Sequence, residues 1–199
     1  MESAVGSAAS APCARLFAVL AMLAAGGGGC IMPQGASVAD QRQSVLEMRD
    51  GTLQELEGIE PRVRERIRRA AGYAVFTDVT LKAFMVGTGQ GYGVAVDNRT
   101  GERVFMRMVQ AGGGVGYGIK DFRNVFVFLD QERFRNFVDT GLEIGGSADA
   151  MAAYKGEGPA LGVGVQVLPG VEVYQLTQSG LAASAMVMGT KYFRDPVLN

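Results

Sequence analysis

The chain has 199 residues, 48% hydrophobic and 20% charged, the composition of one globular domain with a short extension. Its net charge of -1 gives no general attraction to nucleic acid. The absence of His removes the commonest general base and the commonest metal ligand together.

Arg15 precedes the apolar run Leu16 to Ala25, followed by Gly26 to Gly29 and Cys30. The run falls short of the roughly 20 residues that span a bilayer as a helix and fits the apolar segment of a secretory signal. Small residues before a Cys resemble the bacterial lipoprotein signal, in which the Cys is acylated, with palmitate-type chains, and becomes the new N-terminus. Gly27 stands where that signal usually has Leu. The other reading is an ordinary signal peptide with an incidental Cys. On the lipoprotein reading, residues 1–29 are the signal peptide, residues 30–39 are the lipidated Cys30 and a tether, and residues 40–199 form the domain. Cys13 is then lost as well, so the mature chain forms no intramolecular disulfide.

From Asp40 the apolar residues Val45, Leu46, Leu53, Leu56, Ile59, Val63 and Ile67 take helical steps, interrupted by Gly51, Gly58 and Pro61. The spacing predicts helices over 40–57 and 61–71, with Pro61 in the first position of the second. In that second helix Val63, Ile67 and Ala70 form a stripe, with Arg62, Arg66 and Arg69 along one edge and Arg64 and Arg68 along the other. Two readings fit: a helix lying stripe-down on an anionic membrane, or a helix packed on its own sheet with arginine stems covering apolar surface.

Strands follow over Tyr73 to Phe76, Lys82 to Val86 and Gly91 to Asp97, with a turn at Asn98 to Gly101 leading into Glu102 to Gln110. The pattern G-x-G-x-G-Y-G-[V/I] occurs twice, at Gly87 to Val94 and Gly112 to Ile119. Each interior Gly costs a helix about 1 kcal/mol against Ala. Period two instead puts the glycines on one face of a strand, where another backbone comes close or the sheet bends. Neither a phosphate-binding loop nor a dinucleotide fingerprint has this spacing.

Asn124 to Leu129 is apolar on both faces and predicts a central strand. Asp130 is the expected N-cap of a helix carrying Phe134, Phe137 and Val138 and ending before Gly141. Gly145 to Asp149 reads as a loop or a distorted strand. Further strands are expected over 160–168, 171–178 and 181–193, with Pro169-Gly170 and Ser179-Gly180 between them. The fold class is α+β: N-terminal helices, a large, curved, Gly-rich antiparallel sheet, and one covering helix late in the chain.

With no His, and with Cys30 the one thiol of the mature form, no serine or thiol hydrolase and no Cys-based metal site is expected. Asp121, Asp130, Glu143, Asp149, Glu157 and Glu172 remain, and no spacing pairs any two of them for catalysis. The expectation is a protein without enzyme activity, metal or cofactor.

Four blocks, Ala70 to Val79, Val86 to Val94, Gly112 to Phe128 and Gly180 to Lys191, taken in that order, resemble the SYLF domain family across most of residues 60–193. Tyr73 and Thr77 depart from the residues usual there, and the chain has no Trp. The resemblance implies a lipid-binding module whose basic, amphipathic N-terminal region meets the membrane; bacterial relatives are often exported lipoproteins. Phosphoinositides bind some eukaryotic members but are scarce in bacteria, so the implied partner is another anionic phospholipid. The candidate contacts are Arg62, Arg64, Arg66, Arg68 and Arg69, with Lys82 and Phe84 as a second place. The expected location is the cell envelope, in the periplasm at the outer membrane. The rival is an envelope structural module that meets a protein partner; a carboxylate-based hydrolase is a third reading.

Overall fold

The computed structural model describes residues 31–144, 165–177, 180–181 and 189–199. Ser37 starts helix α1 (Val38–Ile59). Its hydroxyl accepts from the Asp40 amide at 3.1 Å, and the Asp40 carboxylate accepts in return from the Ser37 amide at 3.1 Å. This reciprocal cap satisfies two otherwise orphaned donors. The tether therefore ends sooner than expected, and α1 runs through Gly51 and Gly58. Both glycines have open space where a side chain would stand, so they weaken the helix without breaking it. Pro61 lies in the turn ahead of α2 (Val63–Arg69), not at its first position.

The three strands expected between Tyr73 and Asp97 are one, β1 (Gly72–Asp97), paired antiparallel with β2 (Arg103–Phe128). Glycine, unlike proline, bends a strand while keeping its N–H in the ladder. β1 is doubled back on itself. A Cβ on Gly91 would overlap the Thr77 carbonyl and sit 2.8 Å from Asp78 Cβ, and one on Gly93 would overlap the Val75 carbonyl. In a straight strand Val75 and Gly93 would stand about 60 Å apart at about 3.3 Å per residue. The glycines of the first copy are thus where one limb of the curved sheet presses on the other. The second copy meets the first at the pair Gly87 and Gly112, and the register slips between Phe84 and Val86.

After β2, Asp130 caps α3 (Gln131–Thr140) by accepting from the Arg133 amide at 2.7 Å, and Gly141 ends it at φ +78°. The remaining strands are β3 (Leu142–Ile144), β4 (Val165–Leu168), β5 (Val171–Thr177), β6 (Gly180–Leu181) and β7 (Gly189–Arg194). All pairs are antiparallel, in the order β3-β7-β2-β5-β4, with β1 on β2 and β6 on β5. β7 pairs with Met106–Ala111 of β2 and β5 with Arg123–Phe128.

The sheet is covered on both sides. On the inner side Phe76, Phe126 and Phe128 pack against Phe134 and Phe137 of α3 and Tyr192 of β7. On the outer side Val75, Val125, Val127 and Leu176 lie under Leu56 of α1 and Val63 and Ile67 of α2, while Val94 and Phe105 lie under Val45. Residues 125–128 send alternate side chains into the two cores, so that segment is the central strand the sequence predicts. These cores lie within Ile31–Asn199, which forms one unit. Cys30, Gly145 to Asp149 and the pair Gly162 and Gly164 lie outside the described residues, as do parts of the strands expected over 160–168 and 181–193.

Candidate lipid-binding surface

α2 is short for a helix and owes its position to tertiary contacts. Val63, Ile67 and Ala70 are buried against the sheet. Asn98, in the β1–β2 turn, donates from Nδ2 to the carbonyls of Ile67 at 2.6 Å and Ala70 at 3.0 Å, closing the C-terminal end of the helix. The apolar stripe therefore faces the protein's own sheet. This corrects the stripe-down placement on a membrane, because the same side chains cannot be buried twice.

The arginines all remain exposed. Arg66 grips Glu172 of β5 through two hydrogen bonds of 2.6 Å, and those bonds raise the pKa of its guanidinium. Arg64 pairs with Glu57 of α1. Arg68 and Arg69 both pair with Glu65, and their hydrogen bonds hold its carboxyl down at about 2. The Arg62 guanidinium makes no cap hydrogen bond. Glutamate thus offsets most of the charge on the helix. Pairs as exposed as those of Arg64, Arg68 and Arg69, whose side chains are 73–77% accessible, are screened by water and add little to stability. A phosphate oxygen can take the place of a carboxylate there at small cost.

Lys82 and Phe84 lie elsewhere, in the middle of β1, opposite Gly118 and Gly116. Phe84 is 57% exposed with φ +58°. Leu81, Val86 and Ile119 nearby are also more than half exposed. The sequence singles out Lys82 and Phe84 but not this wider apolar group, since its members come from two strands brought together by the register.

Asp78 was missed. It sits fully buried on the inner side of β1 and accepts from Thr80 Oγ1 at 3.3 Å, Asn124 Nδ2 at 2.9 Å and Gln110 Nε2 at 2.8 Å. Burial outweighs these bonds and pushes its carboxyl up to about 7. The available signal was parity: Asp78 alternates in phase with Ala74, Phe76 and Thr80, but only if residues 77–81 are strand. Of the other carboxylates, Asp130 caps α3 and Glu172 holds Arg66. Asp149 and Glu157 lie outside the described residues.

No helix among the described residues is long and apolar enough to cross a membrane. No protein-family model matches the chain. The chain is similar to Beta cell expansion factor A of Aeromonas veronii, with 33% identity over 165 residues that cover 78% of this chain and 58% of that protein. It therefore spans less than two thirds of that relative's length.

Proposed function

We propose that this chain is an exported, non-enzymatic lipoprotein of the cell envelope, held by an acylated Cys30, whose domain binds anionic phospholipid at a membrane surface. The observation that carries the reading is the set of five exposed arginines on a helix fastened to its sheet by a buried stripe and the Asn98 cap. A fixed helix presents its guanidinium groups without ordering them anew, and arginine is suited to phosphate by its planar fork of donors. Each basic residue near an anionic surface contributes on the order of 1 kcal/mol. With Glu57, Glu60, Glu65 and Glu172 nearby, the net attraction is modest, and the anchor supplies proximity.

Flotation of residues 31–199 with phosphatidylglycerol-containing and with pure phosphatidylcholine vesicles tests the reading. Binding to the first and not to the second, weakening as salt rises, is expected, because exposed charges are screened over about 8 Å at physiological ionic strength. Absence of binding to both would leave the domain as a protein-interaction module.

A further inference from the structure

Between the part of β2 that pairs with β7, ending at Ala111, and the part that pairs with β5, starting at Arg123, β1 is its one partner among the described residues. Leu81 is 52% exposed, Phe84 57%, Val86 63% and Ile119 69%. Exposed large apolar side chains gathered in this way mark a contact surface.

Alternation places the group. From Val75, buried under α2, the same side of β1 passes through Thr77 and Val79 to Leu81; from Val125 the same side of β2 passes through Arg123 and Asp121 to Ile119. Leu81 and Ile119 are register partners. From Val94, under Val45, alternation in the other limb leads through Tyr92, Gln90 and Thr88 to Val86. Leu81, Ile119 and Val86 thus share the sheet side on which α1 and α2 pack, beyond the reach of both helices.

The bend is locally basic. Residues 79–90 and 109–120 contain Lys82 and Lys120 and no carboxylate, against a net charge of -1 for the whole chain. Asp121 stands next in β2 on the side of Ile119, so the bend carries two positive charges against one negative, and exposed apolar side chains beside a net positive charge match the boundary between acyl chains and anionic headgroups. Phe84 adds a second sign: a bulky residue at φ +58° is a strained conformation, of the kind that persists where surrounding structure and function require it.

We propose that the bend of the β1–β2 ribbon, carrying Leu81, Phe84, Val86 and Ile119, is a wedge that inserts into the headgroup region of an anionic bilayer. This rests on the reading that the domain binds lipid. The arginines of α2 would then meet phosphates while the bend supplies apolar burial.

The chain has no Trp, so one introduced Trp reports alone. Phe84→Trp and, separately, Ile119→Trp are placed in residues 31–199, their fold checked by circular dichroism, and mixed with phosphatidylglycerol-containing vesicles whose acyl chains are brominated. Blue-shifted emission and quenching by bromine in both variants are expected. Leu81→Ser with Ile119→Ser should weaken vesicle binding by roughly tenfold or more while leaving the far-ultraviolet spectrum unchanged. If the domain floats with these vesicles and neither Trp is quenched, the wedge is wrong while lipid binding stands. If it floats with no vesicle, the lipid reading fails and the wedge with it. A blue shift without vesicles, together with dimers in sedimentation, would mean that a second copy covers the bend.

Discussion

Arg66 and Glu172 join α2 to β5 through a bidentate pair, both bonds 2.6 Å, with the Glu172 side chain 8% exposed and the Arg66 side chain half exposed. Removing the arginine leaves a nearly buried carboxylate with only the Tyr174 hydroxyl, at 3.5 Å, as a donor among the described residues. Arg66→Gln should therefore lower stability by about 1–3 kcal/mol, the range for leaving a buried acceptor under-satisfied, and not the larger loss of a fully buried pair. Urea unfolding of residues 31–199 measures it. Arg64→Gln, whose partner Glu57 is at the surface, should move the midpoint by much less.

Asp78 predicts how stability depends on pH. Its carboxyl titrates near 7 in the fold and near 3.9 in an unfolded chain, so the folded form holds a proton that the unfolded form has lost between those values. Its contribution is fully present below about pH 4 and is lost as pH rises through about 7. The groups facing it are Thr80 and the second limb of β1 at Gly91, Gln110 and Asn124 of β2, Asp121, and Tyr192 of β7, whose hydroxyl is itself held protonated by burial. None is a cation. Asp78→Asn should flatten the stability profile between pH 4 and 7 by a few kcal/mol and leave the acid limb, where Glu65 with its carboxyl at about 2 acts oppositely, in place. An unchanged profile in thermal melts across this range would place the proton elsewhere.

Much of the architecture was legible because it rests on local chemistry. Asp130 and Gly141 bound α3 as their residue types require, and the unbroken apolar run before them is the strand that feeds two cores. The length of β1 was not legible, because its continuity depends on residues 77–81 finding partners in β2 and on glycines lying against a limb many residues away. The arginine helix shows the same limit. Its stripe and edges follow from spacing alone, whereas the surface that covers the stripe, and the glutamates that answer the arginines, come from Glu57 in another helix and Glu172 in a distant strand.

The glycines divide into two kinds with opposite expectations. Gly51 lies inside α1 with open space at its Cβ, so Gly51→Ala should raise stability by about 0.5–1 kcal/mol. Gly93→Ala would drive a methyl into the Val75 carbonyl and should cost about 1–3 kcal/mol. Gly101, at φ +74° with no neighbour within 4 Å, separates conformation from packing: Gly101→Ala should cost about 1–2 kcal/mol through the backbone alone. Chemical denaturation of the three variants reads these differences directly. Equal midpoints for Gly93→Ala and wild type would contradict the close approach of the two limbs.

Cys30→Ser tests the anchor. If Cys30 is acylated, the variant should accumulate as uncleaved precursor or leave the membrane fraction, because a modest surface attraction cannot replace acyl chains worth about 0.8 kcal/mol per buried CH₂. Mass spectrometry of the mature protein that found any N-terminus other than acylated Cys30 would remove this part of the reading.

The arginine surface is tested most cleanly by leaving Arg66 in place, since its loss would confuse binding with folding. Arg62, Arg68 and Arg69 are exposed, and among the described residues none of them reaches the sheet through an ion pair; the ion-pair partner of Arg68 and Arg69 there is Glu65 of their own helix. Replacing all three with Gln removes three positive charges, keeps good helix formers, and leaves the stripe of Val63, Ile67 and Ala70 intact. At on the order of 1 kcal/mol per basic residue near an anionic surface, affinity for phosphatidylglycerol-containing vesicles should fall by roughly a hundredfold, with the melting curve close to wild type. The residual binding should also depend less steeply on salt, because fewer screened charges contribute to it. Binding that is unchanged in both strength and salt dependence would take the lipid contact away from α2 and leave the ribbon bend as the surface that meets the bilayer.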